Sequence, residues 1–276
     1  MSCDLIAIYK WAIAAGMVVA PALALLGCHI AARDRSVQAI CISQGAMLGA
    51  IVGLFFEHWL ETQWLSVPVV FAGSALAFLV GETLTHQRHA SKNTLLCSIF
   101  ATLLALGYLF SALFPGVENH MTQVFFGDLA TLSNIQAFTA IALGCLGLGV
   151  LAIDYRNISR SSFAISVFGN DIYSSRRHSI DAFSLFSLAA MAVSVQFMGF
   201  LFTISSLFLP TSLALLMGNR GLKFHLWFCA LVASAAAGVG FHLSLHYTQA
   251  PTVPLIVLCL VGLGTVGSLC LRRRLS

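Results

Sequence analysis

Long apolar stretches alternate with short polar stretches along the whole chain. Nine apolar runs, each bounded by polar or charged residues, predict membrane-spanning helices. They cover residues 5–30, 37–56, 66–86, 94–114, 134–154, 181–196, 198–217, 225–246 and 252–271. Because a helix needs about 20 mainly apolar residues to cross a hydrocarbon core of about 30 Å, most runs are long enough. The pattern predicts an all-α, polytopic transmembrane helical bundle of about 8–9 spans.

Residues 181–217 are barely long enough for two membrane spans. We expect two short spans with a tight reversal near Gln196–Gly199, because a single span would move the C-terminal arginines to the other side of the membrane. This stretch should contain irregular backbone. Such backbone is tolerated at membrane depth only when it is buried in protein or lines a cavity.

The placement of basic residues predicts the orientation of the spans. When the N-terminus is set outside, 13 of the 14 Lys and Arg residues fall in cytoplasmic loops or at cytoplasmic span ends, and only Lys10 is left over. The outside loops then hold Glu57, Glu61, Glu118 and Asp128. Cytoplasmic loops of membrane proteins are enriched in Lys and Arg. We therefore predict that the N-terminus lies outside and the C-terminus inside.

The composition supports a protein of the lipid bilayer. Hydrophobic residues make up 59% of the chain and charged residues 9%, whereas soluble domains carry about 25% charge. This excludes a nucleic-acid binder, a secreted disulfide scaffold and most soluble enzymes. The eight cysteines form no CxxC pair and are interpreted as small hydrophobic residues.

Enzyme signatures are missing from the sequence. There is no HExxH, no GxSxG and no GxxxxGK[ST] phosphate-binding loop. The chain is therefore predicted not to be an enzyme. If it uses nucleotide energy, a separate subunit must bind the nucleotide.

Small residues predict close helix packing at two places. Gly45, Gly49 and Gly53 share one helix face, and residues 233–240 are almost all Ala, Gly or Ser. Such faces let two helices approach closely within a membrane. Ordinary bundle packing explains them, and the functional alternative is that these helices slide against each other during transport.

Histidines and acidic residues on the predicted outer side are candidate metal ligands. His242 and His246 are four residues apart and share one helix face, and Glu57 and His58 are neighbours. A mixture of imidazole and carboxylate suits Zn²⁺ or Mn²⁺. Plain loop polarity is the alternative interpretation.

The segment 155–180 is the one long loop on the predicted cytoplasmic side. It contains four arginines and a short amphipathic stretch from Ser161 to Gly169. A helix of this kind lies along the membrane surface, where it could also dock onto a cytoplasmic motor.

Several segments, in order along the chain, resemble one family of transporters. They are Pro21; Arg33-Asp34-Arg35; Asn93-Thr94-Leu95-Leu96; Phe126-Gly127-Asp128-Leu129; Gly199 to Ser206 with Leu209-Pro210-Thr211; and Gly240 to Ser244 leading to Pro251. The chain resembles the permease subunits of bacterial ABC importers for zinc, manganese and iron (ABC-3 type), and most of all the permease of the high-affinity zinc importer.

The resemblance implies a function and partners. It implies a single permease domain over 1–276 in the bacterial inner membrane, pairing as a homodimer on two cytoplasmic ABC ATPase subunits. A periplasmic or lipoprotein metal-binding protein would deliver a divalent metal, with zinc as the leading candidate, and no cofactor would be bound. The segment 155–180 falls at the family's coupling helix, which implies that Ser162, Phe163, Ile165 and Gly169 contact the ATPase.

One departure from the family pattern concerns the metal path. In the second span the family has Asp and His as ligands, and this sequence has Ile40 and Gln44 at those positions, with Ser43 retained. Ile cannot bind a metal and Gln is a weak ligand for Zn²⁺. A diverged permease for manganese, iron or a metal chelate is therefore the alternative function. A more distant alternative is a membrane redox protein with haem held between His29 and His225.

Overall fold

The structure, a computed structural model, describes residues 2–60, 65–85, 91–114, 123–127, 129–168, 182–217, 221–247 and 250–273. These residues form α-helices and one 3₁₀ turn (Leu129–Thr131), with no strand among them. The helices are α1 Ser2–Ala32, α2 Ser36–Leu60, α3 Ser66–Thr85, α4 Lys92–Leu113, α5 Asn134–Ile153, α6 Tyr155–Phe168, α7 Ala182–Met198, α8 Phe200–Leu215, α9 Leu222–His246 and α10 Thr252–Arg273.

Nine of these helices coincide with the nine predicted apolar runs. Six are long and apolar enough to cross a membrane, namely Ile8–Ala32, Ser36–Glu57, Ser66–Leu84, Lys92–Leu113, Asn134–Ile153 and Leu222–His246. The other three, Ala182–Met198, Phe200–Leu215 and Thr252–Gly267, are shorter apolar helices. The all-helical architecture is confirmed, and the number of spans and their orientation stay predictions.

The predicted irregular backbone near Gln196–Gly199 is confined to one residue, and a reversal of the chain direction there stays a prediction. Only Gly199 leaves the helical conformation between α7 and α8, with φ of +89°. A side chain at Gly199 would place its Cβ 2.5 Å from the Cα of Gly127, which itself has φ of +74°. Two glycines are needed here because their backbones touch and both adopt a left-handed conformation.

The chain divides into two compact units. The first unit comprises residues 1–34, 128–179 and 201–276, and the second comprises 35–127 and 180–200. In the first unit α1 packs against α5, α6 and α9, and α9 packs against α10. The predicted small-residue face of α9 is buried, since Ala233, Ala236 and Gly240 lie in the interior and a Cβ at Gly240 would lie 2.5 Å from the Cα of Ile256.

In the second unit, α2 packs against α3, α4 and α7. The glycine face of α2 approaches the backbone of α3: a Cβ at Gly45 would lie 2.5 Å from the Gly73 carbonyl oxygen, and one at Gly49 2.6 Å from that of Val69. The same construction puts Gly53 2.7 Å from the Cα of Ser66. Successive glycines along α2 contact successively earlier residues of α3, so the two helices run antiparallel. The prediction of close packing on this face is confirmed.

Candidate functional site

Two adjacent polar residues lie buried in the middle of α2. Ser43 and Gln44 have no solvent-exposed surface. Among the residues that the structure describes, neither the Ser43 hydroxyl nor either amide atom of Gln44 has a hydrogen-bond partner. Leaving a buried polar group without a partner typically costs about 1–3 kcal/mol. An apolar side chain would avoid this cost, so these two residues are the first candidates for contact with a polar cargo.

The helix face that carries Gln44 packs toward α4. Cys41, one turn before it, donates a thiol hydrogen bond to the Leu96 carbonyl at 3.0 Å. Met47, one turn after it, is 3.7 Å from the position of a Cβ at Gly107. With Ile40 one turn before Gln44, this part of α2 offers the neutral oxygens of Ser43 and Gln44 and no carboxylate. Ile40 therefore offers a cation no ligand atom, and the amide oxygen of Gln44 would be a weak ligand.

Glu57 is engaged in a structural contact at the far end of α2. One of its carboxylate oxygens accepts a hydrogen bond from the Ser66 backbone N–H, at 2.9 Å, at the first residue of α3. The Gln196 side chain donates to the Ser66 hydroxyl at 3.2 Å. A carboxylate at a helix N-terminus is favourable because it satisfies a free N–H group. The side chain of His58 lies outside the described residues.

His242 and His246 come together on α9 as their spacing predicts. Their ring centroids are 5.0 Å apart and both side chains are exposed. Glu57 and His58 belong to the second unit and these histidines to the first. Within the described ranges, no group of three or more His, Cys, Asp or Glu side chains converges as a metal site would require. The two imidazoles alone make at most half of a tetrahedral zinc shell.

The amphipathic segment forms helix α6, which begins at Tyr155, six residues before the predicted start. Ser162 and Ile165 are buried, with 2% and 9% of their surface exposed, whereas Phe163 is 69% exposed. Of the four predicted coupling residues, Phe163 is therefore the one described as facing outward, and Val167 joins it on the exposed face. Gly169 lies outside the described residues.

One polar contact between two predicted spans was not expected from the sequence. The Gln38 amide donates to a carboxylate oxygen of Glu82 at 2.9 Å, joining α2 to α3 near the predicted cytoplasmic side. Gln38 is 3% exposed. The available signal was Glu82 itself, because an acidic residue inside an apolar run marks a site that needs a partner.

Comparison with known proteins gives consistent matches. A model of the ABC 3 transport family matches residues 6–270. The manganese transport system membrane protein MntC of Halalkalibacterium halodurans is 22% identical over 255 residues, 91% of this chain and 84% of that protein. A solved structure, PsaBC from Streptococcus pneumoniae in complex with Fab, has a TM-score of 0.75 at 16% identity, covering 96% of this chain and 95% of the matched chain.

A second solved structure, assigned to the metal-chelate type of ABC transporter and in an inward-facing conformation, has a TM-score of 0.63 at 14% identity. The match covers 95% of this chain and 86% of the other. At such identities these two structures show a common fold.

Proposed function

The chain belongs to the ABC 3 transport family, and from that premise we propose that it is the transmembrane permease of an ATP-binding-cassette importer for a divalent metal ion. It is a multi-pass protein of the bacterial cell (inner) membrane. The observation that carries the proposal is the family match over residues 6–270, supported by nine apolar helices in the predicted places. With no phosphate-binding loop in its sequence, the permease relies on partner subunits for ATP hydrolysis.

The proposal gives the permease partners on both sides of the membrane. The exposed side of α6, with Phe163 and Val167, would receive a cytoplasmic ABC ATPase subunit. A periplasmic or lipoprotein metal-binding protein would deliver the ion on the opposite side. Two copies of the permease would form the pathway, and ATP-driven movement of the ATPases would alternate its access.

Zinc and manganese are the two leading cargoes. The imidazoles of His242 and His246 favour zinc, for which nitrogen ligands are well suited. The hydroxyl of Ser43 and the amide oxygen of Gln44 favour manganese, which prefers oxygen ligands, and the named relative MntC belongs to a manganese system. Iron or a metal chelate is the further alternative. Membership of a transport family gives the haem alternative no support.

Uptake by the reconstituted complex tests the proposal. The permease would be placed in liposomes with its ATPase and binding protein, and uptake of ⁶⁵Zn and ⁵⁴Mn would be measured with ATP and with a non-hydrolysable analogue. We expect ATP-dependent uptake of at least one of the two labelled ions. An excess of the unlabelled form of the true cargo should reduce this uptake more than an excess of any other ion. A complex that hydrolyses ATP and accumulates no divalent metal contradicts the proposal.

Gln44→Leu distinguishes a free ion from a chelate. Because the amide has no described partner, the substitution should leave the free energy of unfolding unchanged or raise it. If Gln44 contacts a free ion, uptake falls several-fold in a protein of full stability. If the cargo is a chelate that supplies its own ligands, uptake stays near that of the unmodified protein. Ser206→Ala, which removes a buried unpartnered hydroxyl from α8, is the control for the loss of a buried polar group.

A further inference from the structure

A buried arginine joins the amphipathic helix to the end of α1. Arg33 directly follows α1 and is 4% exposed. Its Nε donates to the Ser162 hydroxyl at 3.0 Å, and its Nη2 donates to the Ser161 hydroxyl at 2.7 Å. One guanidinium therefore holds two adjacent residues of α6. We name Arg33, Ser161 and Ser162 the arginine–serine bridge.

Other contacts seat α6 on the same face. His29, one turn earlier on α1, places Nδ1 3.4 Å from the Ser162 hydroxyl. Ile158 and Ile165 lie one turn to either side of Ser162 and are buried with it. The opposite face of α6 presents Phe163 and Val167 outward. The helix thus has an inner side attached to α1 and an outer side free for a partner.

The helix to which the bridge attaches has extensive contacts inside the first unit. α1 packs along both α5 and α9. A Cβ at Gly16 of α1 would lie 2.9 Å from a side-chain carbon of Leu129. A Cβ at Gly144 of α5 would lie 3.0 Å from a side-chain carbon of Val18 and 3.1 Å from one of Val19. Close-packed protein interiors have low compressibility and transmit strain. A displacement imposed on the end of α1 would therefore reach several spans.

Arginine is chemically unusual at this position. Burying a cation costs free energy that an apolar contact would avoid, so simple attachment of an amphipathic helix does not need one. The planar guanidinium, however, donates in two directions in a fixed geometry, which a lysine ammonium cannot reproduce. The two serines are adjacent in the sequence, so a single guanidinium group fixes both the axial position and the rotation of α6 relative to α1.

We propose that Arg33 is a positioning residue for transport: through the arginine–serine bridge it transmits movement of α6 to α1. This inference rests on the proposed function, in which an ATPase pushes on the outer face of α6. Arg33 itself need touch neither the ATPase nor the cargo. Its role is to keep α6 and α1 moving together, so its loss should separate ATP hydrolysis from transport.

The number of metal ions transported per ATP hydrolysed is the measurement that tests this role. The complete complex would be reconstituted with Arg33→Lys and with the double variant Ser161→Ala/Ser162→Ala. We expect ATPase activity within twofold of that of the unmodified complex, and at least about 10-fold fewer ions transported per ATP. The reason is that a hydrogen bond to a charged group typically changes an equilibrium constant by about 10- to 100-fold. Ser161→Thr keeps the hydroxyl and should retain coupling.

Arg35→Lys is the matched control. Arg35 lies two residues away and, among the described residues, donates to one hydroxyl, that of Ser184, at 2.9 Å within the second unit. It should keep the normal ratio of ions to ATP. A normal ratio in Arg33→Lys, or a parallel fall of uptake and ATPase activity at constant ratio, would overturn the positioning role. Absence of ATP-driven uptake by the unmodified complex would instead overturn the proposed function on which the role depends.

Discussion

Replacing Gly45 by alanine tests the closest helix contact in the second unit. A Cβ at this position would lie 2.5 Å from the Gly73 carbonyl oxygen and 2.6 Å from the Cβ of Ala77. Neither atom belongs to a flexible side chain, so one helix must shift. Overpacking of this kind typically costs about 1–3 kcal/mol. Against it stands a gain of about 1 kcal/mol, because alanine favours the helix more than glycine does.

Comparison with Gly149→Ala separates the clash from the gain in helix propensity that any glycine-to-alanine change brings. Gly149 lies in α5 and a Cβ there would meet nothing within 4 Å, so that variant should carry the gain without the clash. The difference between the two variants is then the clash alone. We expect Gly45→Ala to be less stable than Gly149→Ala by about 1–3 kcal/mol. Unfolding in mixed micelles of dodecylmaltoside and SDS, followed by circular dichroism, measures this difference.

A double variant tests whether the cause is the stated contact. Gly45→Ala/Ala77→Gly removes the nearer side chain and leaves the Gly73 carbonyl, so part of the clash should disappear. A double-mutant cycle isolates this coupling from the cost of glycine in α3. If Gly45→Ala is as stable as Gly149→Ala, the antiparallel α2–α3 contact described above is wrong.

Three further predictions concern other parts of the fold. Asp34 has φ of +53°, so Asp34→Val should lower the free energy of unfolding by about 1–2 kcal/mol while Asp34→Gly should not; equal effects would argue against the left-handed turn. Ser133 caps α5 through a hydrogen bond from the Gln136 N–H, so Ser133→Ala should cost about 1 kcal/mol in the same assay, and a neutral result would contradict the cap. The Cys28 and Cys229 sulfurs are 3.4 Å apart, so mild iodine oxidation of a variant retaining only these two cysteines should give a disulfide-linked peptide pair by mass spectrometry; failure to form it would contradict the pairing of α1 with α9.

Much of the helical architecture was predictable because hydrophobicity in a membrane protein acts on whole segments. The nine apolar runs follow from span length, and the interruption at Gly199 follows from the freedom of glycine to adopt a positive φ. The glycine face of α2 was also visible in its four-residue spacing. Spacing identifies which face is small, but it does not identify the helix that packs there.

The contacts made by polar side chains were harder to predict. Arg33 and Ser162 are 129 residues apart, and nothing in their local sequence links them. Ser162 and Ile165 are buried and Phe163 is exposed, a division that the sequence did not reveal, and contact of these residues with an ATPase stays a prediction. The amphipathic stretch shows that two faces exist, whereas the register against α1 depends on the arginine–serine bridge.

Purification of the tagged permease in a mild detergent, with mass spectrometry of the proteins that accompany it, tests the central claim most directly. The account predicts an ABC ATPase subunit in roughly equal amount, as expected of a permease that carries no nucleotide-binding motif of its own. An intact, folded chain that purifies without any ATPase subunit would contradict the claim that it works as the permease of an ABC importer.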